Sequence, residues 1–213
     1  MRSMLDWIGS HGEIVGRTVR EHLVLSGVSL AIALALALPL GIALVRHPRA
    51  AAIAVGTVNT LRTIPSLALL VIMLPVLGTG FLPSVVALTL YGLPAILLNT
   101  LVGLREVDAD VIDAARGQGL SERQITTGIT IPLALPVILA GIRTSAVQIV
   151  SAATLAVFIG GGGLGELISS GLGLLDIAQL VTGTLLVALL AVGTELVFGA
   201  VQFSLARRYG TSS

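Results

Sequence analysis

Long apolar stretches alternate with short polar ones along the chain. A helix of about 20 apolar residues spans the hydrocarbon core of a bilayer. Five segments reach roughly this length, and they cover about residues 23–45, 50–77, 84–104, 131–159 and 177–205. The pattern predicts an all-α membrane protein of about five transmembrane helices. A mixed segment, 1–22, precedes the first span, and a short tail, 206–213, follows the last.

Prolines interrupt two of the predicted spans and mark the beginning of a third. Pro65 follows Arg62-Thr63-Ile64 inside the second span, where it removes a backbone hydrogen bond and predicts a kink or a split. Pro94 predicts a kink in the third span. Pro132 is expected at the beginning of the fourth span, where a missing N–H is tolerated.

The composition narrows the possible chemistry. Of 213 residues, 55% are hydrophobic and 11% are charged, whereas a soluble domain carries about 25% charged residues. All twelve basic residues are arginine and cysteine is absent, which excludes lysine chemistry, disulfides and thiolate metal sites. The three histidines form no ligand-like cluster, and a net charge of +1 gives no reason to expect nucleic acid. We therefore expect neither a metal site nor a catalytic residue.

The arginines are distributed unevenly between the two sides of the predicted spans. Three precede the first span, at positions 2, 17 and 20. Seven lie on the other side, at positions 46, 49, 105, 116, 123, 207 and 208. Because positive residues favour the cytoplasmic side, this bias predicts an external N-terminus and a cytoplasmic C-terminus. Residues 1–22 are expected to lie along the outer surface as an amphipathic segment, with these apolar positions: Leu5, Ile8, Ile14, Val15 and Val19.

Residues 105–130 form a polar island between two spans, on the predicted cytoplasmic side. Asp108 or Asp110 is suited to cap a helix. Glycines 117 and 119 are suited to end that helix. Ser121 and Gln124 have the spacing of a capping box for a second helix. Between these signals, Ala114-Ala115 predicts a flat helix surface that a partner protein can approach closely.

The spacing of this island closely resembles the signature loop of importer-type ABC transporter permeases. The loop reads Asp113-Ala114-Ala115, three residues, Gly119, nine residues, Ile129-Thr-Ile-Pro132. The family pattern has Glu in place of Asp113 and Leu in place of Ile131. Further segments are similar to the osmoprotectant branch, the permeases of glycine betaine, carnitine and choline uptake: residues 61–68, 98–100, 114–117, 132–136, 140–145 and 159–165.

The resemblance implies a type I importer permease in a bacterial cytoplasmic membrane. The two short helices would be coupling helices that sit in clefts of a cytoplasmic ATPase dimer. Mg-ATP would be hydrolysed on that partner, so this chain would be a non-enzymatic subunit without a cofactor of its own. The implied coupling residues are Asp113, Ala114, Ala115, Gly119, Ile129 and Pro132.

The same resemblance implies further partners and a transport cycle. A second permease copy or paralogue would complete the pathway within the membrane lipid, and an extracytoplasmic binding protein would deliver the solute. The spans would alternate between inward- and outward-facing states to move a solute of the glycine betaine, carnitine, choline or proline type. Aromatic residues make up only 3% of the chain, too few to build a cation-binding aromatic cage alone. We therefore expect the binding protein to supply most of the specificity.

Polar residues within the spans are candidates for the pathway: Arg62, Asn99, Arg143 and Glu195. Arg143 and Glu195 fall at similar depths, so we expect an ion pair, with either a structural or a switching role. Asn99 either lines a polar path or bonds to a neighbouring helix, as do Gln148 and Thr154. The run Gly160, Gly161, Gly162 and Gly163 is either a flexible outer mouth that meets the binding protein or a simple tight turn.

Other functions fit parts of the sequence. An amino-acid importer, for example for methionine, would share the coupling loop. An ion-coupled secondary carrier often shows inverted repeats, and none is visible here. A membrane scaffold without transport is a third alternative. A dependence of transport on a co-expressed ATPase separates the importer from the last two.

Overall fold

The computed structural model describes the backbone of residues Met4–Tyr209. The side chains of Leu5, Arg207 and Arg208, on which two of the predictions above depend, lie outside the described part. So do residues 210–213 of the predicted tail. The α-helices are α1 (Met4–Ser10), α2 (Gly12–Leu44), α3 (Pro48–Arg62), α4 (Ser66–Ile72), α5 (Leu74–Leu77), α6 (Phe81–Arg105), α7 (Ala109–Gly117), α8 (Glu122–Ile125), α9 (Ile131–Ala152), α10 (Gly165–Gly173) and α11 (Ile177–Tyr209).

The helices confirm the all-α membrane fold. Within the residues that the structure describes, four continuous helical stretches are long and apolar enough to cross a membrane: Gly12–Leu44, Phe81–Arg105, Glu122–Ile159 and Ile177–Leu205. The pair Pro48–Arg62 and Ser66–Leu77 makes a fifth span if it is counted as one, although the two parts bend by 96°. Pro65 lies at this bend with ψ of 140°, so it splits the second predicted span instead of only kinking it.

The helix α2 begins at Gly12, well before the apolar run at residues 23–45 from which the first span is predicted. It includes residues 12–22 of the mixed segment, where Thr18 and His22 face the fold while Glu13, Arg17 and Arg20 stay exposed. Thr18 and His22 are fully buried, and the Thr18 hydroxyl donates to the carbonyl of Ile14 one turn earlier. Trp7 of α1 is also buried and packs with Leu164 and Leu167. The described part of the N-terminal segment is therefore integrated into the bundle.

The helix α6 lies at the centre, between α2 and α9. Small residues allow these helices to approach closely. A Cβ atom added to Gly141 of α9 would lie 2.7 Å from the carbonyl oxygen of Ala95 on α6. A Cβ atom on Gly41 of α2 would lie 2.6 Å from a methyl carbon of Thr100 on α6. In a membrane the hydrophobic effect does not drive helices together, because lipid tails are as apolar as the helix surfaces. Close backbone contact of this kind drives their association instead.

Candidate coupling surface and translocation path

The loop that resembles the importer signature begins with a capped helix. The Asp108 carboxylate accepts a hydrogen bond from the Asp110 backbone N–H over 2.9 Å, so Asp108 is the N-cap of α7. The cap satisfies one of the free N–H groups of the first turn, where an acidic side chain also complements the helix dipole. Asp113 lies just beyond this first turn. Its carboxylate pairs with Arg116 over 3.1 Å.

A sharp corner follows α7. Gly119 has a φ of +79°, a conformation that side chains other than glycine adopt with strain. A Cβ atom on this residue would meet nothing of the chain within 4 Å. Gly117, by contrast, remains inside α7 with ordinary helical backbone. The glycine at 119 is therefore required by the turn, and the space beside it is open to a partner.

The second short helix carries the predicted capping box. The Ser121 hydroxyl accepts from the Gln124 N–H, and the Gln124 side chain accepts from the Ser121 N–H over 2.9 Å. This cap fixes the start of α8 immediately after the glycine corner.

Pro132 is the second residue of α9, as expected for a proline at the beginning of the fourth span, but the helix does not start anew there. Helix continues from Glu122 to Ile159, through a π-helical turn at Thr126–Thr130. In this turn Ile131 N–H donates to Thr126 five residues back, and the wider turn accommodates a proline that has no N–H to donate. The short helix α8 and the fourth span are thus one continuous helix.

The six coupling positions do not form one uniform surface. Asp113, Ala114 and Gly119 are exposed, while Ala115 is buried and packs within the chain. Ile129 and Pro132 are half-buried and lie on the continuous helix that follows the loop. The flat surface predicted for both alanines is therefore provided by Ala114 alone, because Ala115 turns inward.

Ion pairs tie the corner to the rest of the chain. The Arg116 guanidinium donates to Glu122 over 2.8 Å and to Asp113 over 3.1 Å. The hydrogen bond that Arg116 donates to Glu122 raises the pKa of Arg116 above its ordinary value. Arg46, in the turn between α2 and α3, donates to the Thr126 hydroxyl over 2.8 Å and lies 3.7 Å from Glu122. Glu122 therefore connects α7, α8 and the α2–α3 turn.

The expected ion pair inside the membrane region is present. Arg143 of α9 pairs with Glu195 of α11, and its guanidinium also donates to the Gln202 side-chain oxygen over 3.2 Å. Gln202 in turn donates to the carbonyl of Pro136 over 3.2 Å. This network joins the last span to α9.

Arg62 lies in a different environment. It is the last residue of α3, is exposed, and lines a cavity of about 150 Å³ with Tyr91 of α6 and Gln148 of α9. Tyr91 is a candidate residue that the sequence analysis missed, because no local pattern sets it apart from an ordinary span residue.

Asn99 is not part of this cavity. Its side chain donates to the carbonyl of Ala95 on its own helix over 2.8 Å. It also packs against Gly141, where an added Cβ would lie 2.5 Å from the Asn99 Cβ. Its position is that of a helix-packing residue, one of the two interpretations left open by the sequence.

The glycine run lies at the end opposite the coupling loop. Gly160, Gly162 and Gly163 have positive φ, and hydrogen bonds hold the turn in place. Gly161 N–H donates to the Ala156 carbonyl over 2.8 Å, and Gly163 N–H donates to the Glu21 carboxylate over 3.2 Å. The geometry is that of a tight turn. It borders a cavity of about 650 Å³ that is also lined by Arg17, Arg20, Glu21, Phe81 and Glu166.

The comparisons with known proteins agree with this arrangement. Residues 27–211 match the family described as binding-protein-dependent transport system inner membrane component. The carnitine transport permease protein OpuCB of Listeria monocytogenes is 41% identical over 185 residues, which cover 87% of this chain and 85% of the relative. The glycine betaine/carnitine/choline permease OpuCB of Bacillus subtilis is 37% identical over 202 residues, covering 95% and 93%.

A solved structure has the same fold. The inward-facing MetNI methionine ABC transporter superposes with a TM-score of 0.81 at 23% identity, over 96% of this chain and 99% of that one. At this level of identity the likeness establishes the fold alone.

These findings identify the class of protein. The chain belongs to the inner-membrane components of binding-protein-dependent transport systems, which are permeases of ABC importers. Its relatives at 37–41% identity lie within the osmoprotectant branch of these permeases. It is a multi-pass protein of the cytoplasmic membrane, and its role is transport.

Proposed function

We propose that this chain is the membrane-spanning subunit of an ABC importer for a compatible solute of the glycine betaine, carnitine or choline type. ATP is hydrolysed on a separate cytoplasmic ATPase dimer, and an extracytoplasmic binding protein delivers the solute. The observation that carries the proposal is the exposed corner at Gly119, between the capped helix α7 and the membrane-spanning helix that begins at α8.

The corner has the properties of a docking element. Ala114 and Gly119 present little side-chain bulk, and the space beside Gly119 is empty within the chain. A partner's groove can therefore approach the backbone closely. The acidic residues Asp110 and Asp113 are exposed on the same helix and offer charge to basic groups of the partner.

The fold also connects the corner mechanically to the opposite end of the membrane-spanning region. A displacement of α7 reaches Glu122 through Arg116, and Glu122 begins a continuous helix that ends at Ile159. The glycine turn and the cavity of about 650 Å³ follow directly at that far end. Closure of an ATPase dimer on the coupling helices would thus move both ends of the pathway together, which is the requirement of alternating access.

A second permease subunit is part of the proposal. Five spans are few for a complete pathway, and the most apolar part of α11 is not buried within the chain. The face that carries Leu189, Leu196 and Val197 is highly exposed and is available to lipid or to a second copy or paralogue.

An amino-acid importer is the alternative, because the methionine transporter shares the fold. The higher identity to carnitine and glycine betaine permeases favours an osmoprotectant. An ion-coupled secondary carrier would have no use for the docking corner.

The proposal is tested by uptake of radiolabelled glycine betaine in cells that lack other osmolyte transporters. The permease is expressed with the ATPase and binding-protein genes that neighbour it, and in a matched strain without the ATPase. We expect uptake only in the complete system, with competition by unlabelled carnitine or choline but not by methionine. Competition by methionine alone would support the amino-acid importer. Uptake without the ATPase would contradict the ABC mechanism.

A further inference from the structure

Two arginines lie within the predicted spans, and they differ in their partners. Arg143 is paired with Glu195. Arg62 is exposed, and in the described part of the chain no carboxylate forms a salt bridge with it. A charged side chain at membrane depth normally faces a partner or a water-filled cavity. Since no ion pair stabilises Arg62 in this part of the chain, its charge requires a polar cavity or an anion from outside the chain.

Arg62, Tyr91 and Gln148 lie on three different helices but at similar depths in the membrane region. Arg62 lies 14 residues from Pro48 on α3, and Tyr91 lies 14 residues from Arg105 on α6, so each is about 21 Å from the loop end of its helix. Gln148 lies 17 residues from Ile131, the first residue of α9, which is about 26 Å along that helix. All three line the same cavity of about 150 Å³.

The break in the second span lies next to this cavity, because Leu61 and Arg62 line the cavity and the chain bends directly after them. The chain turns by 96° after Arg62, at Thr63–Pro65. Irregular backbone at membrane depth is tolerated where it is buried in protein or lines a polar cavity. Broken helices of this kind form the solute sites of many transporters. We therefore expect the residues at the bend to line the pathway and not to face lipid.

The side chains define the chemistry of the ligand. A guanidinium binds a carboxylate through two parallel hydrogen bonds, and the Gln148 amide and Tyr91 hydroxyl are additional donors. The Tyr91 ring also offers an apolar, electron-rich face to an alkylammonium group. The cavity is smaller than the 300–1,000 Å³ typical of sites that enclose a drug-sized ligand, and it suits one end of a small zwitterion.

We propose that Arg62, with Tyr91 and Gln148, binds the carboxylate of the transported solute in the translocation path. This inference rests on the proposed function, because glycine betaine and carnitine carry a carboxylate. Choline carries a hydroxyl in its place. Arg62 would then distinguish the acids from the alcohol at a step after delivery by the binding protein.

The test compares initial uptake of labelled glycine betaine and choline in the complete importer. In Arg62→Gln, we expect glycine betaine uptake to fall about tenfold or more, as for loss of a charge-assisted hydrogen bond, while choline uptake changes less than about twofold. Arg62→Lys keeps the charge and should retain part of the glycine betaine uptake. The matched control, Arg49→Gln, removes a charge from the other end of α3 and should leave both rates unchanged.

Several results would overturn the inference. An equal loss of both solutes would indicate a structural role or a bound lipid headgroup, and unchanged uptake would remove Arg62 from the pathway. A wild-type importer that takes choline alone would also exclude a carboxylate site. A wild-type importer that takes none of these solutes would instead refute the proposed substrate class, and the carboxylate site would fall with it.

Two further measurements keep the test decisive. If the importer takes only carboxylated solutes, Arg62→Gln should lose uptake but retain ATP hydrolysis stimulated by the binding protein. A parallel loss of hydrolysis would contradict the inference. If Arg62→Gln does not reach the membrane, Tyr91→Phe and Gln148→Leu should each reduce glycine betaine uptake severalfold at normal membrane levels. Unchanged uptake in both would overturn the proposal.

Discussion

Arg116 Nε donates a hydrogen bond to Glu122 Oε1 over 2.8 Å, and this ion pair joins the two helices on either side of the Gly119 corner. The pair therefore links the helix proposed to receive the ATPase to the helix that crosses the membrane.

The first prediction concerns this link. Arg116→Glu places a carboxylate beside Glu122 and Asp113, so the corner should open and uptake per ATP hydrolysed should fall severalfold. Because the pair is solvent-exposed, the amount of protein in the membrane should hardly change. Exchange of the two charges, Arg116→Glu with Glu122→Arg, should restore part of the coupling. Failure of the exchange, at normal membrane levels, would argue against transmission through the pair.

The second prediction separates the two glycines of the corner. Gly119→Ala forces a side chain into positive φ, at a cost of about 1–2 kcal/mol, which shifts a local equilibrium by a factor of about 5 to 30. Uptake should decrease accordingly. Gly117→Ala, inside α7, should leave uptake unchanged or slightly raised, because alanine favours helix. Equal effects of the two substitutions on uptake would show that the turn geometry does not matter for coupling.

The third prediction concerns the pair between α9 and α11. Arg143→Ala leaves Glu195 without its partner within the membrane region, so we expect less protein in the membrane and a lower Tm in detergent. Arg143→Ala combined with Glu195→Ala should recover both. The control Arg123→Ala removes an exposed charge from the loop. If the double variant recovers its membrane level but not uptake, the pair has a role in switching.

The fourth prediction concerns orientation, for which the arginine distribution is the argument. Because the chain has no cysteine, a single introduced thiol reports one position. A membrane-impermeant maleimide should label Leu174→Cys, in the exposed turn after α10, in intact cells. It should label Gln118→Cys, in the coupling corner, only after the membrane is opened. The reverse pattern would place the coupling corner outside and contradict the proposed partner.

Local features of the coupling loop were predictable from the sequence. The Asp108 cap, the Ser121–Gln124 capping box and the positive φ of Gly119 depend on neighbouring residues only, and each is observed. The Arg143–Glu195 pair was also predictable, because two opposite charges at equal depth in an apolar protein have few other partners.

Features that depend on packing between helices were not predictable in this way. Pro132 lies within a continuous helix because a π-turn absorbs its missing N–H, and no residue pattern specifies that turn. Ala115 turns inward while Ala114 stays exposed, which depends on how α7 docks on the chain. Tyr91 joins Arg62 through the packing of the end of α3 against α6, which no local residue pattern specifies.

The measurement that tests the account most directly uses the purified importer in proteoliposomes, with binding protein and labelled glycine betaine outside. We predict that the solute accumulates only when Mg-ATP is enclosed with the ATPase, that dissipation of ion gradients does not prevent this accumulation, and that Gly119→Asp abolishes it. Accumulation without ATP, driven by an imposed sodium or proton gradient, would contradict the account.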